Sequence, residues 1–263
     1  HGNKTLFRYY EGKDIQSMTY ATFGTQVREA AAAFTAMGLC GEKIAVIGET
    51  SPQWVCTYLG ALAAGCVIVP MDKELDTEEI RRFIAMVDAR AIVYSKSFNE
   101  KFIKSISDGD TGIRYFIPIT PAYDSSFDNK VIAFEQLLTC GRERVERDGY
   151  HYPIVRNREK LAEMLFTSGT TGKSKGVMLT HGNLASVVTS SCMCFQGGNS
   201  VGFLPLNHTF SWVATIFAAF IIITYGYICV DIKNLVKYFH THHPQNFSGV
   251  PLVVETIYKR VWK

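Results

Sequence analysis

The chain has 263 residues and a formal net charge of +3, with 47% hydrophobic and 19% charged residues. This length can bury a large core in one large or two medium-sized domains, and the ordinary charge gives no indication of a nucleic-acid partner. The seven cysteines include no Cys-x-x-Cys pair and no secretory signal opens the chain, so we expect a cytoplasmic protein in a reducing compartment.

The first part of the chain alternates between helical and strand-like segments. Thr19 is placed to cap a helix whose apolar residues recur at helical spacing until Gly38. Ser51 and Pro52 suit the start of a second helix, and Asp76 that of a third. The predicted strands are 43–48, 66–69, 90–94 and 113–117. The third and fourth predicted helices are 77–87 and 98–106.

The second part continues the same alternation after a loose stretch at 120–130 and a helix at 131–145. The predicted strands here are 161–166, 201–204, 227–230 and 246–249. The predicted helices are 183–194, 210–223 and 232–240. Such alternation requires mainly parallel sheets with helices on both faces. Ligands bind at the carboxyl ends of parallel strands, so we expect the loops at Thr167, Pro205 and Val250 to meet in one cleft.

One segment, residues 212–230, is uncharged over a length that could span a bilayer. Gly226 and the two residues before it interrupt the segment, and the residues that follow are strand-like. The stretch at 54–69 has the same order of apolar helix, glycine and short apolar strand. We therefore interpret both stretches as a buried helix, a glycine stop and a buried strand.

Residues 167–176, TSGTTGKSKG, have the composition of a loop that surrounds a polyphosphate. Glycines let backbone N–H groups turn toward an anion, hydroxyls add donors, and two lysines add positive charge. The Walker motif is excluded, because Gly172 and Lys173 fit its end but Thr167 stands where the leading glycine is required. A solvated linker would lack the strand before the loop and the periodic segment after it.

The string LFTSGTTGKSKGVMLTH at 165–181 resembles the signature of the adenylate-forming superfamily, which includes acyl-CoA synthetases, luciferases and peptide-synthetase adenylation domains. Segments 51–72, 203–210 and 249–261 agree in order, and the last two resemble the long-chain fatty acyl-CoA ligases. The resemblance implies a layered αβαβα fold. It also implies ATP-dependent activation of a carboxylic acid, a medium- or long-chain fatty acid, through an acyl-adenylate to a coenzyme A thioester, with Mg²⁺.

The same resemblance assigns roles to individual residues. Those expected to bind the nucleotide are Thr167, Ser168, Gly169, Thr170, Thr171, Gly172, Lys173 and Lys175. Thr167 would also contact Mg²⁺, and Lys175 would take part in catalysis. His208 in LPLNHTF would orient the substrate carboxylate as a catalytic residue. Trp212 would gate the acyl tunnel, although the residues alone favour a core tryptophan. Val250 would line the acyl pocket, and the residues alone equally allow a simple strand end.

The resemblance implies that the chain is the N-terminal part of a larger enzyme and is inactive alone. Its expected divisions are a first subdomain at 1–118, a connecting segment at 119–158, and part of a second subdomain at 159–263. The remainder of the enzyme would be its partner, together with ATP, the fatty acid and coenzyme A. Peripheral membrane contact and a homodimer are left open.

Two alternatives to a fatty acid ligase stay open. The first is an adenylation domain that loads an aryl or amino acid onto a carrier protein. No Asp or Glu occurs between Asn207 and Val230, where an acidic partner for an α-amino group is expected, and this argues mildly against amino acids. The second is a non-catalytic nucleotide- or acyl-binding module. The intact loop, with both lysines and all its hydroxyls, favours an enzyme.

Overall fold

Two β-sheets separated by a layer of helices form the fold. The structure is a computed structural model, and it describes residues 2–95, 97–98, 100–107, 111–119, 131–151, 157–167, 175–192, 198–212, 216, 220, 226–229, 235–247 and 249–261.

The larger sheet has six strands. They are β3 (Lys43–Ile47), β4 (Val67–Met71), β5 (Ala89–Tyr94), β6 (Tyr115–Pro118), β7 (Leu161–Thr167) and β8 (Lys175–Thr180). Their order across the sheet is β6-β5-β3-β4-β7-β8. All neighbouring pairs are parallel except β7 and β8, which are antiparallel. The predicted parallel arrangement is therefore confirmed for β3 to β7.

The smaller sheet has five strands. They are β1 (Thr5–Glu11), β2 (Asp14–Thr19), β9 (Ser200–Gly202), β10 (Gly226–Ile228) and β11 (Asn246–Phe247). Their order is β11-β9-β10-β1-β2, and only β1 and β2 pair in the antiparallel direction. Gly226 begins β10, one residue before the predicted strand at 227–230, and the residues at 221–225 that precede it lie outside the described part of the chain.

The structure describes the following helices, three of which begin at a predicted capping residue. They are α1 (Tyr20–Ala36), α2 (Pro52–Ala63), α3 (Thr77–Val87), α4 (Glu100–Ser107), α5 (Phe134–Asp148), α6 (His181–Cys192), α7 (Thr209–Ser211), α8 (Leu235–His242) and α9 (Pro251–Val261). The side chains of Thr19, Ser51 and Asp76 each accept a hydrogen bond from a backbone N–H in the first turn of the helix that follows. These three predicted helix starts are confirmed.

Five layers result from the packing of these elements. Helices α1, α2 and α5 contribute Phe34, Trp54 and Leu137 to a core that also takes side chains from both sheets. Helices α3 and α4 cover the outer face of the larger sheet, where Phe83 is buried. Helices α8 and α9 cover the outer face of the smaller sheet around Tyr238. The order helix, sheet, helix, sheet, helix confirms the expected αβαβα fold class.

Both sheets take strands from either side of the expected divisions at 118 and 159. The larger sheet joins β3 to β6 with β7 and β8, and the smaller sheet joins β1 and β2 with β9 to β11. The division into subdomains stays a prediction. Most of the predicted helix at 210–223 lies outside the described residues. Within the described part of the chain, no helix is long and apolar enough to cross a membrane.

Candidate functional site

A cavity of about 600 Å³ lies where the two sheets come together. One side is formed by residues that follow β3 and β4, and by Trp54 in the first turn of α2. The opposite side is formed by residues that follow β9, by Val250, and by Val253 on α9. The cavity thus lies at the carboxyl ends of parallel strands from both sheets, which is the common position of ligand sites in such folds.

The cavity wall combines a large apolar surface with a small group of polar side chains. The apolar residues are Trp54, Met71, Phe203, Leu204, Pro205, Leu206, Val250 and Val253. The polar residues are Glu49, Thr50, Lys73, Glu74 and Asn207. Three of these polar residues carry a formal charge, and all three follow β3 or β4. A ligand that fits this wall has a long apolar part and a polar end.

Glu49 is a half-buried carboxylate at the polar side of the cavity. The hydroxyls of Ser95 and Ser97 both donate to its Oε2 atom. Burial alone would raise the pKa of Glu49, but the Ser95 hydroxyl, the backbone N–H of Glu49, the Ser97 hydroxyl and the charge of Lys73 together lower it. Ser95 comes this close because Gly48, at φ 133°, has no side chain, and a Cβ there would lie 2.2 Å from Ser95 Oγ.

Three aromatic side chains stack behind the apolar wall. The ring of Trp212 stacks on that of Tyr58 with centroids 3.8 Å apart, and it lies 5.4 Å from the ring of Trp54. Trp212 is only 1% exposed. Trp54 lines the cavity, whereas Trp212 is not among the lining residues. Trp212 is therefore a core residue that supports the wall, and its role toward a substrate stays a prediction.

The loop predicted to bind phosphate begins and ends at a paired position in the larger sheet. Thr167 is the last residue of β7 and Lys175 the first of β8, and the two are partners in the ladder. Both side chains are exposed. The other predicted nucleotide-binding residues, Ser168, Gly169, Thr170, Thr171, Gly172 and Lys173, lie outside the described residues.

Thr167 lies at the same sheet edge as the cavity, although it does not line it. In the pairing of β4 with β7, Ile68 is opposite Glu163. Because the strands are parallel, the carboxyl end of β7 lies beside that of β4, and Lys73 follows β4 by two residues. Three loops were expected to converge. The loops at Pro205 and Val250 line one cavity, and the loop at Thr167 begins beside the charged side of that cavity.

His208 lies in the turn between β9 and α7. Its backbone N–H donates to the Pro205 carbonyl oxygen, and its own carbonyl oxygen accepts from the N–H of Ser211 at 3.0 Å. The side chain is exposed and makes no capping hydrogen bond. The neighbouring Asn207 lines the cavity. His208 is thus an exposed residue next to a lining residue, and its catalytic role stays a prediction.

Comparison with known protein families identifies the family to which the chain belongs. A family profile described as AMP-binding enzyme matches residues 1–261. The chain belongs to the AMP-binding enzyme family. In this member of the family, the apolar cavity and the two ends of the loop predicted to bind phosphate lie at one edge of a sheet.

The chain is similar in sequence to a long chain acyl-CoA synthetase and to a long-chain-fatty-acid ligase. It is 24% identical over 255 residues to long chain acyl-CoA synthetase 6, peroxisomal, of Arabidopsis thaliana, covering 93% of this chain and 36% of that protein. It is 26% identical over 266 residues to the chloroplastic long-chain-fatty-acid–acyl-carrier-protein ligase AEE15 of the same plant, covering 94% and 36%. The chain thus spans 36% of the length of these two relatives.

The chain also shares its fold with a ligase of known crystal structure. The crystal structure of the anthranilate CoA ligase AuaEII in complex with anthranoyl-AMP matches with a TM-score of 0.83. The match covers 96% of this chain and 48% of the ligase, at 16% sequence identity. At this identity the likeness shows the shared fold alone.

Proposed function

We propose that the protein containing this chain activates a medium- or long-chain fatty acid with ATP, through an acyl-adenylate, to a coenzyme A thioester. The observation that carries the proposal is the position of the apolar cavity, which lies at the sheet edge where Thr167 and Lys175 begin and end the phosphate loop. An apolar substrate and a nucleotide could thus meet at one edge of the fold. The chain by itself is proposed to be inactive.

The proposed reaction has two steps. A carboxylate oxygen attacks the α-phosphorus of ATP, forming a new P–O bond while the bond to pyrophosphate breaks. The thiol of coenzyme A then attacks the acyl carbon, and AMP leaves while the thiol proton passes to solvent. Neither step needs a side-chain nucleophile. The protein contributes by aligning the reacting atoms and stabilising negative charge on the departing pyrophosphate.

The residues at the ends of the loop suit this task. Lys175 supplies an exposed ammonium group at the start of β8, where it can neutralise phosphate charge. Thr167 supplies a hydroxyl oxygen, which can coordinate Mg²⁺ together with water and phosphate oxygens. When bound, Mg²⁺ would neutralise charge on the phosphates. We assign the intervening loop, with Ser168, Lys173 and the residues between them, to the same phosphates.

The cavity suits the acyl part of the substrate. Its volume of about 600 Å³ is within the range of roughly 300–1,000 Å³ that is typical of small-molecule sites. Val250 lines it directly and Trp212 supports its wall through the aromatic stack. His208, beside the lining residue Asn207, is assigned to orient the carboxylate by a hydrogen bond.

We assign the protein to the cytoplasm.

A substrate with an amino group is the second candidate. No acidic residue occurs between Asn207 and Val230, but Glu49 reaches the cavity from the end of β3. The pKa of Glu49 is lowered, so it is ionised near neutral pH and could accept a hydrogen bond from an ammonium group. Its two serine donors already satisfy part of this carboxylate, which favours the fatty acid. A carrier protein is the alternative acceptor.

The test is ATP–pyrophosphate exchange by the full-length protein with acetate, palmitate, benzoate and a mixture of amino acids in parallel. We expect exchange that depends on the added acid and is fastest with palmitate. Exchange that is fastest with an amino acid would support the second candidate. Exchange with none of the acids would contradict the proposed function.

A further inference from the structure

One wall of the cavity carries a carboxylate whose position is fixed by hydrogen bonds. Glu49 follows β3 by two residues, and its Oε2 atom accepts from the hydroxyl of Ser95 and, at 3.3 Å, from that of Ser97. The two hydroxyl oxygens lie 3.0 Å apart, and the backbone N–H of Glu49 donates to Ser95 Oγ at 3.4 Å. A carboxylate held in this way cannot turn away from a ligand that enters the cavity.

This carboxylate is the unbalanced charge of the cavity wall. Three of the described residues that line the cavity are charged, namely Glu49, Lys73 and Glu74. Lys73 Nζ lies 3.8 Å from Glu74 Oε1, so these two charges offset each other and one negative charge remains. Burial by itself raises the pKa of Glu49, but its hydrogen bonds and the charge of Lys73 lower it, so the group is ionised near neutral pH. The wall therefore presents negative charge to a ligand.

The two sides of the cavity differ in how they treat a negative charge on a ligand. Asn207 lines the side of the smaller sheet, and it is the neighbour of His208, which we propose orients the reacting carboxylate. Glu49 lines the opposite side, at the end of β3 in the larger sheet. Most other lining residues are apolar. A second carboxylate on the acid would thus meet a fixed like charge in surroundings that screen it less than water does.

We propose that Glu49 is a specificity-determining residue, which excludes dicarboxylic acids from the cavity by charge repulsion and admits acids whose far end is neutral or cationic. This inference rests on the proposed function and narrows its substrate class to monocarboxylic acids. Two like charges about 6 Å apart at the effective dielectric constant of a protein surface repel strongly enough to weaken binding by about 10- to 100-fold. Specificity here comes from rejecting a competitor and not from an added attraction to the substrate.

The first test uses the wild-type full-length protein and three acids of equal chain length in ATP–pyrophosphate exchange. They are hexadecanedioate, its monomethyl ester, whose far end is neutral, and ω-aminohexadecanoate, whose far end is cationic. We expect the KM of the diacid to exceed that of the monoester by about 10- to 100-fold, and that of the amino acid to lie well below that of the diacid. A cavity that merely disfavours charge would reject the diacid and the amino acid equally, and this result would overturn the inference.

The second test removes the charge itself. Glu49→Gln keeps the size of the side chain and an oxygen that can accept from the serine hydroxyls, so we expect the ratio of diacid KM to monoester KM to fall about 10-fold or more. Glu78→Gln on α3 is the matched control, because it removes the same charge from an exposed residue that does not line the cavity. It should keep the wild-type ratio. An unchanged ratio in Glu49→Gln, or an equal fall in both variants, would overturn the inference.

The proposed function and the role of Glu49 can fail separately. If no carboxylic acid supports exchange in the wild-type protein, the proposed function is wrong. If palmitate supports exchange but the diacid and its monomethyl ester have equal KM values, the proposed function stands and the role of Glu49 is wrong. The comparison of the three acids needs only the wild-type protein, so it decides the matter even if Glu49→Gln does not fold.

Discussion

Among the lysines within the described residues, Lys175 is the one that we propose acts directly in the reaction. It is exposed and paired in the ladder with Thr167, so its side chain can leave without disturbing the core. We expect Lys175→Ala to lower the rate of pyrophosphate exchange by about 10²-fold, the usual effect of removing one charge-stabilising contact, while the melting temperature is unchanged. Exchange and thermal unfolding of the purified full-length variant measure the two effects.

Lys13 provides the matched control for that substitution. It is an exposed lysine in the turn between β1 and β2, on the smaller sheet rather than beside the phosphate loop. Lys13→Ala should leave exchange at the wild-type rate. Equal rates in the two variants, both close to wild type, would remove Lys175 from the phosphate site.

At the scale of elements, the close contact between α1 and α5 depends on one glycine. A Cβ at Gly141 would lie 1.9 Å from the backbone oxygen of Glu29, and Arg142 Nε donates to the buried Glu29 carboxylate at 2.7 Å. Gly141→Ala must therefore push the helices apart. We expect it to lower the free energy of unfolding by about 1–3 kcal/mol or more, as measured by urea denaturation.

Gly24 on α1 provides the comparison, since the same change there adds a methyl group in open space. Gly24→Ala should raise the free energy of unfolding by about 0.5–1 kcal/mol, because alanine favours a helix over glycine. An equal loss of stability in Gly24→Ala and Gly141→Ala would show that the contact with Glu29 does not explain the effect at Gly141.

The sequence was sufficient for elements with strong local signals. Thr19, Ser51 and Asp76 indicated helix starts correctly, because a cap is a contact between residues close in the chain. The strands β1, β2 and β8 were not predicted. The side chains of β8 are mostly exposed and those of β1 follow no strict alternation, so neither has the periodicity that indicates a strand.

The candidate site divides in the same way. Contiguous motifs singled out Val250, which lines the cavity, and the 167–176 loop, whose binding of phosphate stays a prediction. Glu49 and Lys73 were missed, because they follow different strands and meet only when β3 and β4 pair in the sheet. Residue counts from the sequence carry no information on such contacts between residues that follow different strands.

At the scale of the whole molecule, the two sheets together determine the size of the cavity. Val250 contributes to the wall from the smaller sheet and is 39% exposed, so a larger side chain fits without entering the core. We expect Val250→Phe to raise the KM for palmitate severalfold and to leave that for acetate unchanged, since only the long chain fills the cavity. Steady-state kinetics of the full-length protein provide the comparison.

Val254 on α9 is the control for that change. It is 52% exposed and does not line the cavity. Val254→Phe should leave both KM values as in the wild type. If Val250→Phe also leaves the palmitate KM unchanged, or if it weakens acetate and palmitate equally, the cavity is not the acyl pocket.

The proposed function depends on one step, in which a carboxylate oxygen attacks the α-phosphorus of ATP. Incubating the full-length protein with ATP, coenzyme A and palmitate labelled with oxygen-18 in its carboxylate tests it directly. We predict that mass spectrometry will find one labelled oxygen in AMP, because the oxygen that forms the new P–O bond stays with phosphorus when the thioester forms. Label in inorganic phosphate with ADP as the product, or no transfer of label at all, would contradict the account.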